Sequence, residues 1–416
     1  KVESTSGSGQ LPGNVTITAK DLSMKDGAVI TAHTQGAGNA GNIIIKADNL
    51  VIGGESPLTG AFIRNDSIQG ATGNAGSIDL SVGRLTLNPH SLFSSVSAGG
   101  GNAGTVEVHG LGGKGTAASA ITLDNSTIST VIAGGNSSSV PAGIKIAAQT
   151  VNLTNRAQIT ADTNGAAPAG NIALNVDTLM VGNFSTISSS SSLFDSTAGN
   201  AGNITIQGIT GSGSPAAHVN LDNSSISTTI LGGSAANTAA NIAITAHTLA
   251  LAQAQPIRAG IVADTNGAAP AGDIVLHVGT LTSAGIFSTI SSSSISFDDI
   301  AAGGNAGNIT IQGITGSGSP ATNVSLDNST ISTAIFGGIA ANTAANIAIT
   351  THTLALAGGS SINADTLAAA PAGDIVLHVG TLTSPGSFFI SSSSFPDLFF
   401  IPGAAGGNAG NITIQG

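Results

Sequence analysis

Cysteine, tryptophan and tyrosine are absent from the 416 residues. Without cysteine there is no disulfide framework and no thiolate chemistry. Charge is scarce as well: Asp, Glu, Lys and Arg together make up 7%, against about 25% in ordinary domains. Ten Lys and Arg face 21 Asp and Glu, a formal net charge of −11, and no Lys or Arg follows Arg258. Nucleic acids and anionic bilayers are held by basic patches, so this composition argues against both as partners. No stretch approaches the roughly 18 apolar residues of a membrane helix, and insertion in a membrane is not expected. Lys1 to Leu11 lacks the apolar segment of a signal peptide. The closing Gly410-Asn411-Ile412-Thr413-Ile414 repeats the opening of earlier units. The chain therefore reads as a piece of something longer, with any targeting segment outside it.

What is present is 58 glycines and 41% hydrophobic residues. That apolar content is too high for a solvated disordered chain. Ile, Val and Leu dominate it, and these residues suit strands.

Internal repetition is plain. Ala-Gly-Asn-Ile-Thr-Ile-Gln-Gly begins at Ala201, Ala306 and Ala409, and Leu-Asp-Asn-Ser recurs at Leu123, Leu221 and Leu326. The long period is near a hundred residues: 1–105 holds divergent modules, and 106–203, 204–308 and 309–411 are three long repeats. A shorter period of 28–38 residues lies within it, marked by I-x-I pairs from Val15 to Ile412. It divides the chain into twelve modules and the start of a thirteenth, three to each long repeat. Each module carries three apolar beats, as in Ile242-Ala243-Ile244, Leu249-Ala250-Leu251 and Ile261. Alternation with period two buries one strand face and exposes the other. The middle residue of the first beat is Thr16, Asp79, Glu107 or Lys145 in different modules, so it faces solvent.

A lone module cannot fold. Its six or so buried apolar side chains supply roughly 1.5–3 kcal/mol each, whereas ordering its backbone costs about 1–2 kcal/mol per residue. Stacking gives each strand two hydrogen-bonding neighbours and one continuous core. The expectation is an all-β parallel β-solenoid over residues 1–416, of about twelve coils with three short strands per coil. One coil per module gives a rod about 60 Å long at about 4.8 Å per coil. Two rungs per module would roughly double it.

A polar ladder is expected just before the first beat. It comprises Asn42, Asn171, Asn203, Asn241, Asn308, Asn346 and Asn411, with Asn14 at its start and Asp273 and Asp374 as variants. Asparagine tolerates the left-handed turn conformation, and stacked amides can bond along the axis. Insertions at Gly110 to Ala120, Gly208 to His218 and Gly313 to Asn323 are expected to leave one corner every third coil.

The phrase Gly-Asn-Ala-Gly-Asn-Ile-x-Ile, followed by x-Leu-x-Leu and Ser-x-Ile-Ser, resembles the repeats of the filamentous haemagglutinin family, exoproteins of two-partner secretion. Gly104 to Val108, Gly199 to Ile206, Gly304 to Ile311 and Gly407 to Ile414 carry it best. The resemblance covers nearly the whole chain. It implies a right-handed parallel β-helix, export across the outer membrane, and adhesion or display at a bacterial cell surface. The secretion domain of that family has no counterpart here.

Candidate chemistry is thin. Polysaccharide-cleaving β-helices cluster Asp, Lys and Arg on one face, but here Arg64, Arg84, Lys114, Lys145, Arg156 and Arg258 are scattered. Asp298-Asp299 is an adjacent pair in one loop only. His247 and His352, like His277 and His378, are repeat copies about 14 Å apart, too far to share a metal. Asp162, Asp264 and Asp365 recur one per long repeat, and no GGxGxD calcium pattern accompanies them. The serine tracts Ser188 to Ser192 and Ser291 to Ser294 read as stacked hydroxyls. Neither a catalytic role nor a cofactor or metal is expected.

The most individual segment holds Phe388, Phe389, Phe395, Phe399, Phe400 and Ile401. It either folds back over the coil or forms a contact site. The expected function is an extracellular structural or adhesive stalk or filament subunit. Its expected partners are further copies of itself, head to tail or lateral, and a glycan or protein of a cell surface. Alternatives are a carbohydrate-binding or carbohydrate-active β-helix and an ice-binding surface.

Overall fold

The computed structural model describes residues 1–9, 12–54, 59–133, 139–193, 197–253, 259–296, 303–316, 318–338, 341–395 and 406–416. Every named element among them is a β-strand. The strands stack in parallel as a β-solenoid of about twelve turns. The chain forms two compact units, residues 1–191 with 201–216 and residues 192–200 with 217–416.

Register settles the coil. In the first unit Val15 pairs Ile43, Ile43 pairs Ile78, and the column continues through Val106, Ile144, Ile172 and Ile204. In the second unit Ile242, Ile274, Ile309, Ile347, Ile375 and Ile412 form the same column. Each module is therefore one coil, and two rungs per module is excluded.

Where an insertion parts the beats, a coil has three short strands, as in Val106–His109, Ala118–Asp124 and Thr127–Ile132. Elsewhere the first two beats run on as one strand, as in Ile43–Ile52, Ile144–Thr154 and Ile242–Ala252. In Ile43–Ile52 the side chains of Ile43, Ile45 and Ala47 point inward, Asp48 and Asn49 both face out, and Leu50 and Ile52 return inward. Two successive outward residues are a phase break, which turns the corner of the coil. Neighbouring coils break at the same place, so the ladder runs on and skips only the corner residues, such as Asp48 and Gly83. The third beat is a short separate strand, such as Phe62–Ser67 or Ser360–Asn363. The second unit adds a minor column of two- to four-residue strands: Thr265–Asn266, Ser294–Ile295, Ile335–Gly338, Thr366–Ala368 and Ser394–Phe395.

The interior is a set of like-on-like columns. Ile43, Ile78, Leu50, Leu85, Ile63 and Phe93 are all fully buried. The recurrent Ala-Gly-Asn has a separate reason at each position. Its alanines, such as Ala142, Ala169 and Ala271, are buried. Its glycines lie against the backbone of the coil beside them. A Cβ on Gly170 would sit 1.6 Å from the Ala142 carbonyl oxygen, and one on Gly272 1.7 Å from that of Ala240. No side chain fits there.

Buried hydroxyls and amides stitch this glycine column from inside. Ser189 Oγ donates to the Gly170 carbonyl (2.6 Å) and accepts from the Gly202 N–H (3.0 Å). Ser292 does the same with Gly272 (2.6 Å) and Gly307 (3.0 Å). Asn65 serves Gly41 and Gly76, both at 2.7 Å. These polar groups are tolerated inside because each is paired.

Candidate functional site

The turn ladder is built on side-chain oxygens. Asn42 Oδ1 accepts from the Ser77 N–H (2.9 Å), Asn171 from Asn203 (2.8 Å) and Asn241 from Asp273 (2.8 Å). Asn308 accepts from Asn346 (2.9 Å) and Asn346 from Asp374 (2.8 Å), while the Asn411 N–H donates to Asp374 Oδ1 (2.7 Å). Asp273 replaces asparagine without loss, accepting from the Asn308 N–H at 2.7 Å. The ladder thus needs an acceptor oxygen at the right distance and not an amide as such. None of these residues has a positive φ. The left-handed asparagines are Asn125, Asn155, Asn183, Asn223 and Asn328, between the second and third beats. A second ladder, three residues earlier in the phrase, was not anticipated. There Asn39 Oδ1 accepts from Asn74 N–H (2.9 Å) and Asn74 Oδ1 from Asn102 N–H (2.8 Å).

The three insertions fold alike. Gly110, Gly208 and Gly313 N–H donate to the carbonyls of Thr116, Ser214 and Ser319. Left-handed glycines follow in each, for example Gly113 at φ 96° and Gly115 at φ 90°. In the first unit two of these turns frame a groove of about 200 Å³, with Glu107, Lys145 and Asn175 among its lining residues. Lys114 Nζ donates to Glu107 Oε2 (2.5 Å) and lies 3.7 Å from Asp79. These contacts, Glu107 foremost, raise the Lys114 pKa. Buried His109 has Nε2 2.9 Å from Asp79 Oδ1 and Nδ1 2.9 Å from the Gly110 carbonyl.

The second unit carries a different surface. The outward residues of its minor column are in register, Ile295 with Phe336, Phe336 with Leu367 and Leu367 with Phe395. Phe336 is 36% exposed, Leu367 37% and Phe395 50%. Parallel stacking therefore writes an apolar stripe along the axis, four coils long. Sequence reading singled out Phe395 and missed the other three, because their alignment follows from register and not from spacing. Phe388 and Phe389 lie on the neighbouring strand Phe388–Ser391, and Phe389 is 69% exposed. Phe399, Phe400 and Ile401 lie outside the described residues.

Beside the stripe runs a groove of about 290 Å³. Its floor is the outward face of the third beat, Thr289 and Ser291 paired with Thr330 and Ser332 of the adjacent coil. Ile295 and Phe336 line one side and Ile286 and Phe287 the other. Asp264 sits at its edge, where Oδ1 accepts from Ser291 Oγ and the Ser293 N–H, both at 2.7 Å. The same knot occurs at Asp162 with Ser188 (3.0 Å) and Ser190 (2.8 Å). It occurs again at Asp365 with Ser391 (2.6 Å) and Ser393 (2.8 Å). Burial raises the Asp162 pKa, against the lowering effect of these hydrogen bonds. The alternating serines of each tract thus have two jobs. Outward ones bind aspartate, and the inward Ser189, Ser292 and Ser392 bind backbone.

Among the described residues no three His, Cys, Asp or Glu are grouped to hold a metal ion. No protein-family model, curated protein or solved structure matches this chain.

Proposed function

We propose that this chain is a structural and adhesive stalk segment, displayed at or released from a bacterial cell surface, of the filamentous haemagglutinin kind. The observation that supports it best is the in-register stripe of Ile295, Phe336, Leu367 and Phe395. Contiguous exposed apolar surface marks a contact site, and here it lies on a frame that lengthens by simple repetition. The partner is a second copy of the chain, docked laterally along the stripe, with exposed Phe388 and Phe389 extending the contact. The frame itself is built from columns that serve stacking, which suits a scaffold and not an enzyme.

Negative-stain microscopy of the native material tests this reading. Fibres or a surface fringe are expected, dispersing when Phe336, Leu367 and Phe395 are changed to Ser. Single unassociated particles of the unaltered chain would overturn it. Fibres that persist with both this variant and Phe399→Ser/Phe400→Ser would remove the stripe and the loop as the contact.

A further inference from the structure

We propose that the groove beside Asp264 is a binding site for a neutral saccharide. This deepens the adhesive reading above and rests on it for its setting, but not for its chemistry.

The floor carries hydroxyls in a square. Thr289 and Ser291 are two residues apart on one strand, and Thr330 and Ser332 lie opposite them on the next coil. Neighbouring coils are about 4.8 Å apart, close to the width of one sugar ring. Ser291 Oγ already bonds Asp264 and Ser293, and Thr330 Oγ1 bonds Ser361, so Thr289 and Ser332 are the floor hydroxyls that offer a ligand both donor and acceptor. Asp264 adds an ionisable acceptor at the edge, and Ser291 and Ser293 hold its carboxyl in place. A group fixed before the ligand arrives costs less to order on binding.

The walls are apolar. Phe287 is 45% exposed, Phe336 36% and Ile286 74%. A pyranose has an apolar C–H face and a rim of hydroxyls, so it matches an aromatic wall above a hydroxyl floor. A purely aliphatic ligand would leave the floor and Asp264 unpaired. An anionic sugar would face Asp264 with no cation to balance it among the described residues that line the groove. The ligand class that remains is neutral.

The groove is small and open, room for one or two sugar units, so single-site affinity is weak. Repetition offsets this. Asp162 with Ser188 and Ser190 has Phe184, 37% exposed, nearby in the chain, and Asp365 with Ser391 and Ser393 has Phe389. Each long repeat thus carries one carboxylate-serine knot and at least one exposed phenylalanine. Several weak sites repeated along one chain raise avidity without new contacts.

Saturation-transfer NMR on the full chain tests the proposal. The probes are maltose, lactose and N-acetylglucosamine, with N-acetylneuraminic acid as the anionic comparison. Transfer to at least one neutral sugar is expected, with Kd of about 1 mM, and none to the anionic one. Phe287→Ala reduces the signal, and Phe184→Ala/Phe287→Ala/Phe389→Ala weakens binding by about tenfold or more. Circular dichroism checks that each variant is folded. Should the triple variant fail to fold, Thr289→Val/Ser332→Ala gives the reduction by removing floor hydroxyls alone. No transfer from any neutral sugar at about 10 mM, or an unchanged signal in a folded triple variant, overturns the site. Ile295 and Phe336 belong to both the groove and the stripe, so sugar binding is read on Leu367→Ser/Phe395→Ser, which frees the groove from a lateral neighbour; no transfer there counts against the groove only. A sugar-binding protein that never assembles counts against the stalk only.

Discussion

The grooves of the two units differ in everything except the frame beneath them. In the first unit, insertion turns enclose Glu107 and Lys145, with Lys114 and Asp79 beside them. In the second, apolar walls enclose a hydroxyl floor with one carboxylate. Yet both rest on the same inward columns of Ile, Leu, Val and Ala, the same glycine column and the same acceptor ladders. The inner surface is fixed because each of its residues must also match its copy one coil away. The outer surface is free because an outward residue contacts mainly solvent and its axial neighbours. Chemistry in this protein is therefore a property of the outward positions.

That division predicts a graded response to substitution. The largest effect belongs to the glycine column. Gly170→Ala in the first unit and Gly272→Ala in the second should each cost about 3 kcal/mol or more, because the neighbouring backbone cannot yield to a methyl group. Denaturant unfolding measures it. Gly182→Ala, whose Cβ would have the Leu153 carbonyl 3.9 Å away as its nearest neighbour, should be tolerated. Equal tolerance at all three sites would break the comparison at its root.

A smaller effect belongs to the ladder. Asn308→Ala leaves the Asn346 N–H without its acceptor and should cost about 1 kcal/mol. Asn308→Asp keeps the oxygen and should cost little, as Asp273 already demonstrates. A cost for aspartate as large as for alanine would show that the amide hydrogens matter as well.

The pH response tests the buried carboxyls of the first unit. Burial raises the pKa of Asp66 and Asp162 above the ordinary 3.8. For such an acid the folded state binds more protons than the unfolded state above 3.8. The stabilisation is full below that value and is lost as pH rises through the raised folded pKa. Asp66→Asn/Asp162→Asn should flatten the fall in the melting temperature of the first unit over that window. The amide that replaces the Asp162 carboxyl keeps the oxygen that Ser188 and Ser190 use. An unchanged profile would mean that these carboxyls titrate normally.

The smallest effect belongs to the exposed ion pair. Lys114→Met should change stability by less than about 1 kcal/mol, and less still at high salt. A larger loss would make the charged groove part of the frame.

Much of the frame was legible in the sequence. The alternation around Ile43, Ile78 and Ile144 gives the strands, and the recurrence of Asn203 and Asn308 gives the turn. The insertions at Gly110, Gly208 and Gly313 are visible as length differences between modules. What was hidden depends on register. The fused first strand rests on a phase break such as Asp48-Asn49, which looks like a linker until the neighbouring coil is known to bend with it. The carboxylate-serine knots join residues 26–29 apart, such as Asp162 with Ser188 and Asp264 with Ser293. The stripe joins Ile295, Phe336, Leu367 and Phe395 across loops of unequal length. Spacing along a chain shows neither. The left-handed turn is not carried by the ladder asparagines, several of which open the long strand of a coil, as Asn42 does before Ile43–Ile52. Asn125 and Asn328 carry it, while the ladder set is held by its side-chain acceptors.

The central claim is that one module is one parallel coil, so that outward residues align with their copies one module away. The native chain has no cysteine, which makes disulfide trapping clean. Thr282 pairs Ser325, and Ser325 pairs Ala355 one coil further on. Thr282→Cys/Ser325→Cys should form a disulfide on mild oxidation, read by mass spectrometry, because adjacent coils lie about 4.8 Å apart. Thr282→Cys/Ala355→Cys should not. A disulfide in the second pair and none in the first would contradict the one-coil module and the aligned surfaces built on it.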